Sequence, residues 1–562
     1  MIPKRRLRKW LAALGGLALV TGGLAASAQA RPAAPPGPTQ AGHGARAPVS
    51  QPAIDPGQVK VLAAALKKMH DKYASFAHFT PGPQDIFDYN IGNLWLKGID
   101  GSGTTVAVIE GWDDPSVAAF IHVRDVRYGL PDPVIQTIYP SGPLPAQCPP
   151  DMVALGSYGS CDAWQGELEL DVLTVHLIAP YAKIVISATP ADSEITDDAA
   201  SNVAPPEMMH ALEYISAHHV ANAISISDGT GEGTYSFGTA QIHADDPGPL
   251  AAAAAGIPVL NATGDCGVVQ NLAVARAQCG TTSPRPQTAT WDDDPWVTAV
   301  GGTVPNVSKT DGSKLGPDPI WHAGGIFSEG AGFSAVYPRP SYQNGVARIT
   351  GSRMRSVPDI TMDSQSGTSE SAPMVAGVLA LATQLNHGRN LGPINPVLYG
   401  ILGPLGTQAG LSDVVSGNNS VIDPQTGKVL VPGFTAAPGF DVASGWGTVD
   451  AATFVPALVA ATRASSLARS ARNEAGRELG RLEHTIRLSP RSGGTTSVTS
   501  TGFLPRHPVR LAIDGTVVTT LTAGDNGVVS YLLNPAALGL RPGHHVLTLR
   551  GMLITTTASF GS

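Results

Sequence analysis

The sequence predicts an α/β protein, with a mostly parallel sheet flanked by helices on both faces and a small all-β unit after it. Two observations carry this. Between residues 104 and 262 short apolar runs alternate with helical patterns, which implies right-handed crossovers and parallel pairing. Beyond residue 493 short alternating strands are separated by Gly, Asp, Asn and Pro turns. At 562 residues the chain also exceeds what one hydrophobic core supports, so two folded units with linkers are expected. Charged residues are only 14% of the chain and the net charge is −8, which excludes the basic face of a nucleic-acid binder.

Lys4, Arg5, Arg6, Arg8 and Lys9 precede an apolar run from Trp10 to Ala26 that ends in Ala28-Gln29-Ala30. This is the pattern of a cleaved secretory signal over 1–30. A secreted, extracellular protein is expected, with no membrane contact once the signal is removed. Four cysteines then suggest two disulfides. The short separations favour Cys148 with Cys161 and Cys266 with Cys279 among the three possible connectivities. Residues 31–78 form a Pro/Ala-rich leader, with one short helix over Gln58–Ser75.

The main domain, over 79–458, should contain the strand Thr104–Glu110, a helix through Asp171–Ile178 and the strand Lys183–Ser187. Next come the helix Glu207–His218, the strand Ala223–Ser227, an Ala-rich helix ending before Gly256 and the strand Ile257–Ala262. Residues 459–490 are Ala- and Arg-rich, a helical linker. In 491–562 the strands Val509–Ile513, Val517–Leu521, Val528–Leu533 and His545–Arg550 predict an immunoglobulin-like β-sandwich.

Three segments carry chemistry. Ser366-Gly367-Thr368-Ser369-Glu370-Ser371-Ala372-Pro373 opens a helical apolar stretch, Met374–Leu385. It places Ser369 where unpaired N–H groups and the helix dipole favour negative charge; a helix-capping serine would look similar. Trp164-Gln165-Gly166-Glu167-Leu168-Glu169-Leu170-Asp171 puts Glu167 and Asp171 on one helix face, where like charges raise at least one pKa; an exposed acidic first turn fits equally. Pro258–Gly267 ends a strand in an Asp-bearing turn at Asp265, which as an isolated motif is an Asx turn. Neither a subtilisin-type His-Gly-Thr-His nor a Gly-x-Ser-x-Gly elbow occurs, and His176, His210, His218 and His219 lack the context of a catalytic base.

Together these segments resemble the sedolisins, or serine-carboxyl peptidases, which have a subtilisin-like fold. Gly103–Glu110, Trp296–Thr303, Gly330–Ser334 with Tyr337–Gln343, and Val357–Ile360 also match, so the likeness spans about 79–458. The resemblance implies Ser369 as nucleophile, Glu167 as general base, Asp171 as the carboxyl that orients it and Asp265 as oxyanion donor, with Glu110 extending the carboxyl network. It implies an acid-active endopeptidase on polypeptide substrates, with a base that stays ionised near pH 4–5, and no nucleic-acid partner. It also implies one structural Ca2+ held by Asp413, Val414, Ala437, Gly439 and Asp441. The family has Gly where Ala437 stands, so the backbone there must tolerate a Cβ.

Three departures stand out. Only about 50 mostly low-complexity residues separate Ala30 from Phe79, where the family carries a large propeptide. Asp228 replaces a Trp, although Glu232 fits the Glu that follows. Glu370 puts an acid beside the nucleophile. The alternative expectation is a non-catalytic secreted protein that holds a peptide or wall polymer. The protein is expected to be a monomer.

Overall fold

The computed structural model describes residues 54–76, 79–149, 160–189, 207–235, 238–270, 279, 285–325, 327–483, 486–503, 506–514, 516–551 and 555–561. The expected signal and most of the leader lie outside these residues. The leader helix extends over Pro56–Asp71 (α1), capped by Asp55, whose carboxyl accepts the Gly57 N–H. A short helix Pro83–Asp88 (α2) follows.

The α/β domain contains β1 (Thr105–Glu110), α3 (Val117–Tyr128), β2 (Ile135–Ile138), α4 (Cys161–Ile178), β3 (Lys183–Ala188), α5 (Glu207–Ala217) and β4 (Ala223–Ile226). It continues with α6 (Pro247–Ala255), β5 (Val259–Ala262), β6 (Val297–Thr303), β7 (Ile360–Asp363) and α7 (Thr368–Leu385). The strands form one seven-stranded sheet in the order β7-β6-β5-β4-β1-β3-β2, every pair parallel. The alternation legible in the sequence is therefore the sheet itself. Side chains alternate across it: Val106, Val108, Ile184 and Ile186 join the core under α4 and α7, while Ala107, Ile109 and Val185 join the core under α5 and α6.

α7 is buried on nearly every side from Thr368 to Gln384, which explains why its apolar residues show no helical stripe. It approaches α4 closely at Gly377, where an added Cβ would sit 2.7 Å from the Ile178 side chain. That glycine sets the distance between the two helices, and with it the reach from Glu167 to Ser369.

The segment expected as a linker is two packed helices. α8 (Ala451–Ala464) is capped by Asp450, which accepts the Thr453 N–H at 3.0 Å. α9 (Leu467–Glu483) lays Ala475, Leu479 and Leu482 against Leu250 and Ala253 of α6. It covers the α/β domain, because one face of this charged helix is apolar. The all-β unit has two antiparallel sheets. β8 (Arg487–Arg491), β9 (Thr495–Ser500) and β12 (Val529–Leu533) form one; β10 (Pro508–Ile513), β11 (Thr516–Thr522), β13 (His544–Arg550) and β14 (Thr555–Gly561) form the other. Val498, Leu511, Val529 and Leu547 from both sheets share one core.

Candidate active site

Gly367, with φ 101°, turns the chain into α7, so Thr368 and Ser369 are its first two residues. The helix N-terminus thus packs at β4 to β6, where its Thr368 N–H is taken by Asp265. A Cβ at position 367 would come within 2.6 Å of Asp265 Oδ2, so glycine is required for closeness as well as for φ.

The sequence-derived residues converge here. Glu167 lies on the second turn of α4 with its carboxyl near the Ser369 hydroxyl and its Oε1 buried with no hydrogen-bond partner among the described residues. Loss of water on burial pushes Glu167 up to about 7; the Ser369 hydroxyl pulls it down and the charge of Asp265 pushes it up. One turn further along α4, Asp171 is 0% exposed. The Ser227 hydroxyl lies 2.9 Å from Asp171 Oδ2 and 3.2 Å from the Ser369 carbonyl oxygen, and its single proton serves one acceptor at a time. Burial first, and Glu167 second, hold Asp171 well above the usual carboxylate range.

Glu110, the last residue of β1, is also 0% exposed. Both its carboxyl oxygens are buried beside Asp171 with no donor among the described residues, and burial followed by the charges of Asp171, Glu167 and Asp228 raises its pKa well above the normal range. Asp265, just past β5, accepts the Thr368 N–H at 2.7 Å and the Thr368 hydroxyl at 2.9 Å through Oδ1. Burial raises its pKa and the Thr368 donors oppose the rise.

Burial thus makes Glu167 hold its proton more tightly than an exposed carboxyl does.

Asp228, where a Trp was expected, follows β4 and leaves Oδ2 buried without a hydrogen-bond partner among the described residues. Glu232 sits apart: it accepts the Ser334 hydroxyl at 2.5 Å and the Ala335 N–H at 2.7 Å, anchoring a hairpin. His176 pairs with Asp125 at 3.0 Å between α4 and α3 and takes no part. Sequence reasoning passed over Ser227 and Thr368. Both were visible as hydroxyls next to residues it had singled out.

The expected disulfides are formed, Cys148 with Cys161 and Cys266 with Cys279. Cys161 is the first residue of α4 and Cys266 follows Asp265, so each bridge anchors a segment that bears a site carboxyl. They fit an oxidising, extracellular or lumenal compartment.

A second cluster joins two loops. Asp413 Oδ2 accepts the Gly439 N–H at 2.8 Å. Asp441 accepts the Ala437 N–H through Oδ2, and the N–H groups of Ala443 and Ser444 through Oδ1, each at 2.8 Å. Gly439 has φ 83°, whereas Ala437 is outside the left-handed region, so its Cβ is tolerated. Among the described residues the carbonyls of Val414, Ala437 and Gly439 accept no hydrogen bond. Two carboxylates and three free carbonyls are an oxygen-only donor set, which suits a hard cation such as Ca2+.

The profile of the Subtilase family matches residues 164–395. Kumamolisin from Bacillus sp. (strain MN-32) is 27% identical over 378 residues, covering 63% of this chain and 59% of its own length. Human tripeptidyl-peptidase 1 is 33% identical over 230 residues, covering 35% of this chain and 37% of its own. The chain thus spans about 59% and 37% of the lengths of these relatives. The solved structure of Pseudomonas sedolisin, a serine-carboxyl proteinase, matches at TM-score 0.50 and 23% identity, over 64% of this chain and 92% of that one. On its motifs, its subtilisin-like fold and these relatives, the chain is similar to the sedolisins, the serine-carboxyl peptidases.

Proposed function

We propose that this protein is a secreted endopeptidase that hydrolyses polypeptides in mild acid through Ser369, Glu167 and Asp171. The observation that carries the reading is the Ser369 hydroxyl near the Glu167 carboxyl, at a helix N-terminus beside a protonatable Asp265. Ser369 Oγ attacks the scissile carbonyl while Glu167 takes the hydroxyl proton. The tetrahedral oxyanion is held by the neutral Asp265 carboxyl, acting as donor, and by N–H groups at the start of α7. On collapse Glu167 returns the proton to the leaving amine and leaves an acyl-enzyme on Ser369. Water, deprotonated by Glu167, then releases the second product. Asp171 orients Glu167, and a proton shared with Glu110 keeps negative charge from accumulating behind the base.

The reaction needs Glu167 ionised and Asp265 protonated. Activity therefore rises with pH as Glu167 loses its proton and falls as Asp265 ionises, giving a bell that peaks below pH 7. One structural Ca2+ held by Asp413, Asp441 and the carbonyls of Val414, Ala437 and Gly439 would lock the two loops together. The test is hydrolysis of a denatured protein from pH 3 to 7 by wild type and Ser369→Ala. Acid-limited activity lost in the variant supports the reading; a folded but inactive wild type favours a secreted binding protein.

A further inference from the structure

A second group of buried acids lies on the far side of the nucleophile turn, outside the chemistry above. Asp85 comes from α2, Asp363 is the last residue of β7 and Glu370 is the third residue of α7. All three are at most 1% exposed, and one carboxyl oxygen from each lies within 4.8 Å of the other two. Asp363 accepts the N–H and the side-chain amide of Gln365, at 3.0 and 3.1 Å. Glu370 Oε2 accepts the Ser366 N–H at 2.9 Å and Asp85 Oδ2 the Gly82 N–H at 2.8 Å. Asp85 Oδ1 and Glu370 Oε1 are buried with no donor among the described residues. The same turn is joined to the N-terminal segment a second time, by the Ser366 and Thr80 hydroxyls 2.7 Å apart.

We propose that Asp85, Asp363 and Glu370 are positioning residues that share protons and so clasp the turn carrying Ser369 to the segment Thr80–Asp88. This rests on the reading of Ser369 as nucleophile. The groups facing the cluster are Asp88 and the hydroxyls of Tyr73, Tyr89 and Tyr128. Lys314 is engaged with Asp88 at 2.9 Å and Asp318 at 3.4 Å. Three carboxylates this close cannot all ionise without a cation, so the cluster must hold protons, and an O–H of one acid donates to an oxygen of another. Burial is the first cause raising all three pKa values. The clasp is closed in acid and opens as pH rises. Successive helix residues point in different directions, so Glu370 acts through the turn and does not touch substrate.

Hydrogen exchange of the 364–371 peptide in full-length Ser369→Ala tests the clasp without any need for catalysis. Protection, corrected for intrinsic rate, is expected to fall at least tenfold between pH 4.5 and 7.5. Glu370→Gln, whose amide donates without titrating, shifts that loss to higher pH; Asp85→Ala lowers protection at both. In the Ser369 chain, Glu370→Ala lowers kcat about tenfold with KM within twofold. Protection that is independent of pH, or that EGTA removes at pH 4.5, overturns the clasp. An inactive wild type whose protection still responds to Glu370→Gln overturns the nucleophile reading and leaves the clasp standing.

Discussion

Two places in the α/β domain draw carboxyls inward and treat them in opposite ways. Asp359, before β7, receives the fully buried Arg355 guanidinium at 2.7 and 3.0 Å, with further donors from Ala299, Asn395 and Tyr399. Arg355 also donates to the Val297 carbonyl at 3.0 Å. Around Ser369, by contrast, Glu110, Glu167, Asp171, Asp228 and Asp265 are raised mainly by burial, and no cation appears among the causes acting on any of them. The first arrangement is a buried ion pair that holds β6, β7 and the Val-Pro-Asp-Ile motif in place. The second leaves its charge to be set by protons, as the proposed proton transfers require.

The sharpest way to break this contrast is to remove a reacting group. Ser369→Ala should lower kcat by about 10⁴–10⁶-fold while leaving the urea midpoint within error; unfolding would move Ser369 to the structural side. Arg355→Leu should do the reverse, costing about 3–5 kcal/mol by urea unfolding because it strands Asp359. Asp265→Ala should cost about 10²–10³-fold in kcat, and Asp265→Asn, which donates at every pH, should extend activity to higher pH. An unchanged alkaline limb in Asp265→Asn would assign that limb to another group.

The pH dependence of stability gives a gentler test. A carboxyl whose folded pKa is raised binds its proton more tightly when folded. That contribution is complete below the unfolded value near 4, and it is lost as pH rises through the folded value, about 7 for Glu167, Asp88 and Asp245. Thermal midpoints should therefore fall from pH 4 to 8. Asp514 and Asp525 in the all-β unit are lowered by hydrogen bonds, to the Val546 N–H and His545 for the first and Arg506 for the second. They run the opposite way, but both are exposed and screened, so Asp525→Asn should leave the midpoint unchanged.

Most of the sheet was legible because buried parallel strands are written as short apolar runs, and boundaries differed only at their ends. β8, β9 and β14 escaped because Arg487–Arg491 and the Thr/Ser-rich strands carry few apolar residues. The site residues were legible as motifs. Their ionisation was not, since Glu167 owes its shift to which neighbours fold against it. Likewise Asp85 reads as an ordinary first-turn acid until β7 and α7 enclose it.

On the proposed reading of a secreted protein, α7 has one more consequence. The channel that exports unfolded chains diverts long apolar segments sideways into lipid, and a span needs about 20 such residues. Met374–Leu385 is uncharged throughout yet stops well short of that length, bounded by Glu370 and by Asn386, and among the described residues no single helix qualifies as a span. The helix is apolar enough to be wrapped by a protein core and too short to be retained by a bilayer.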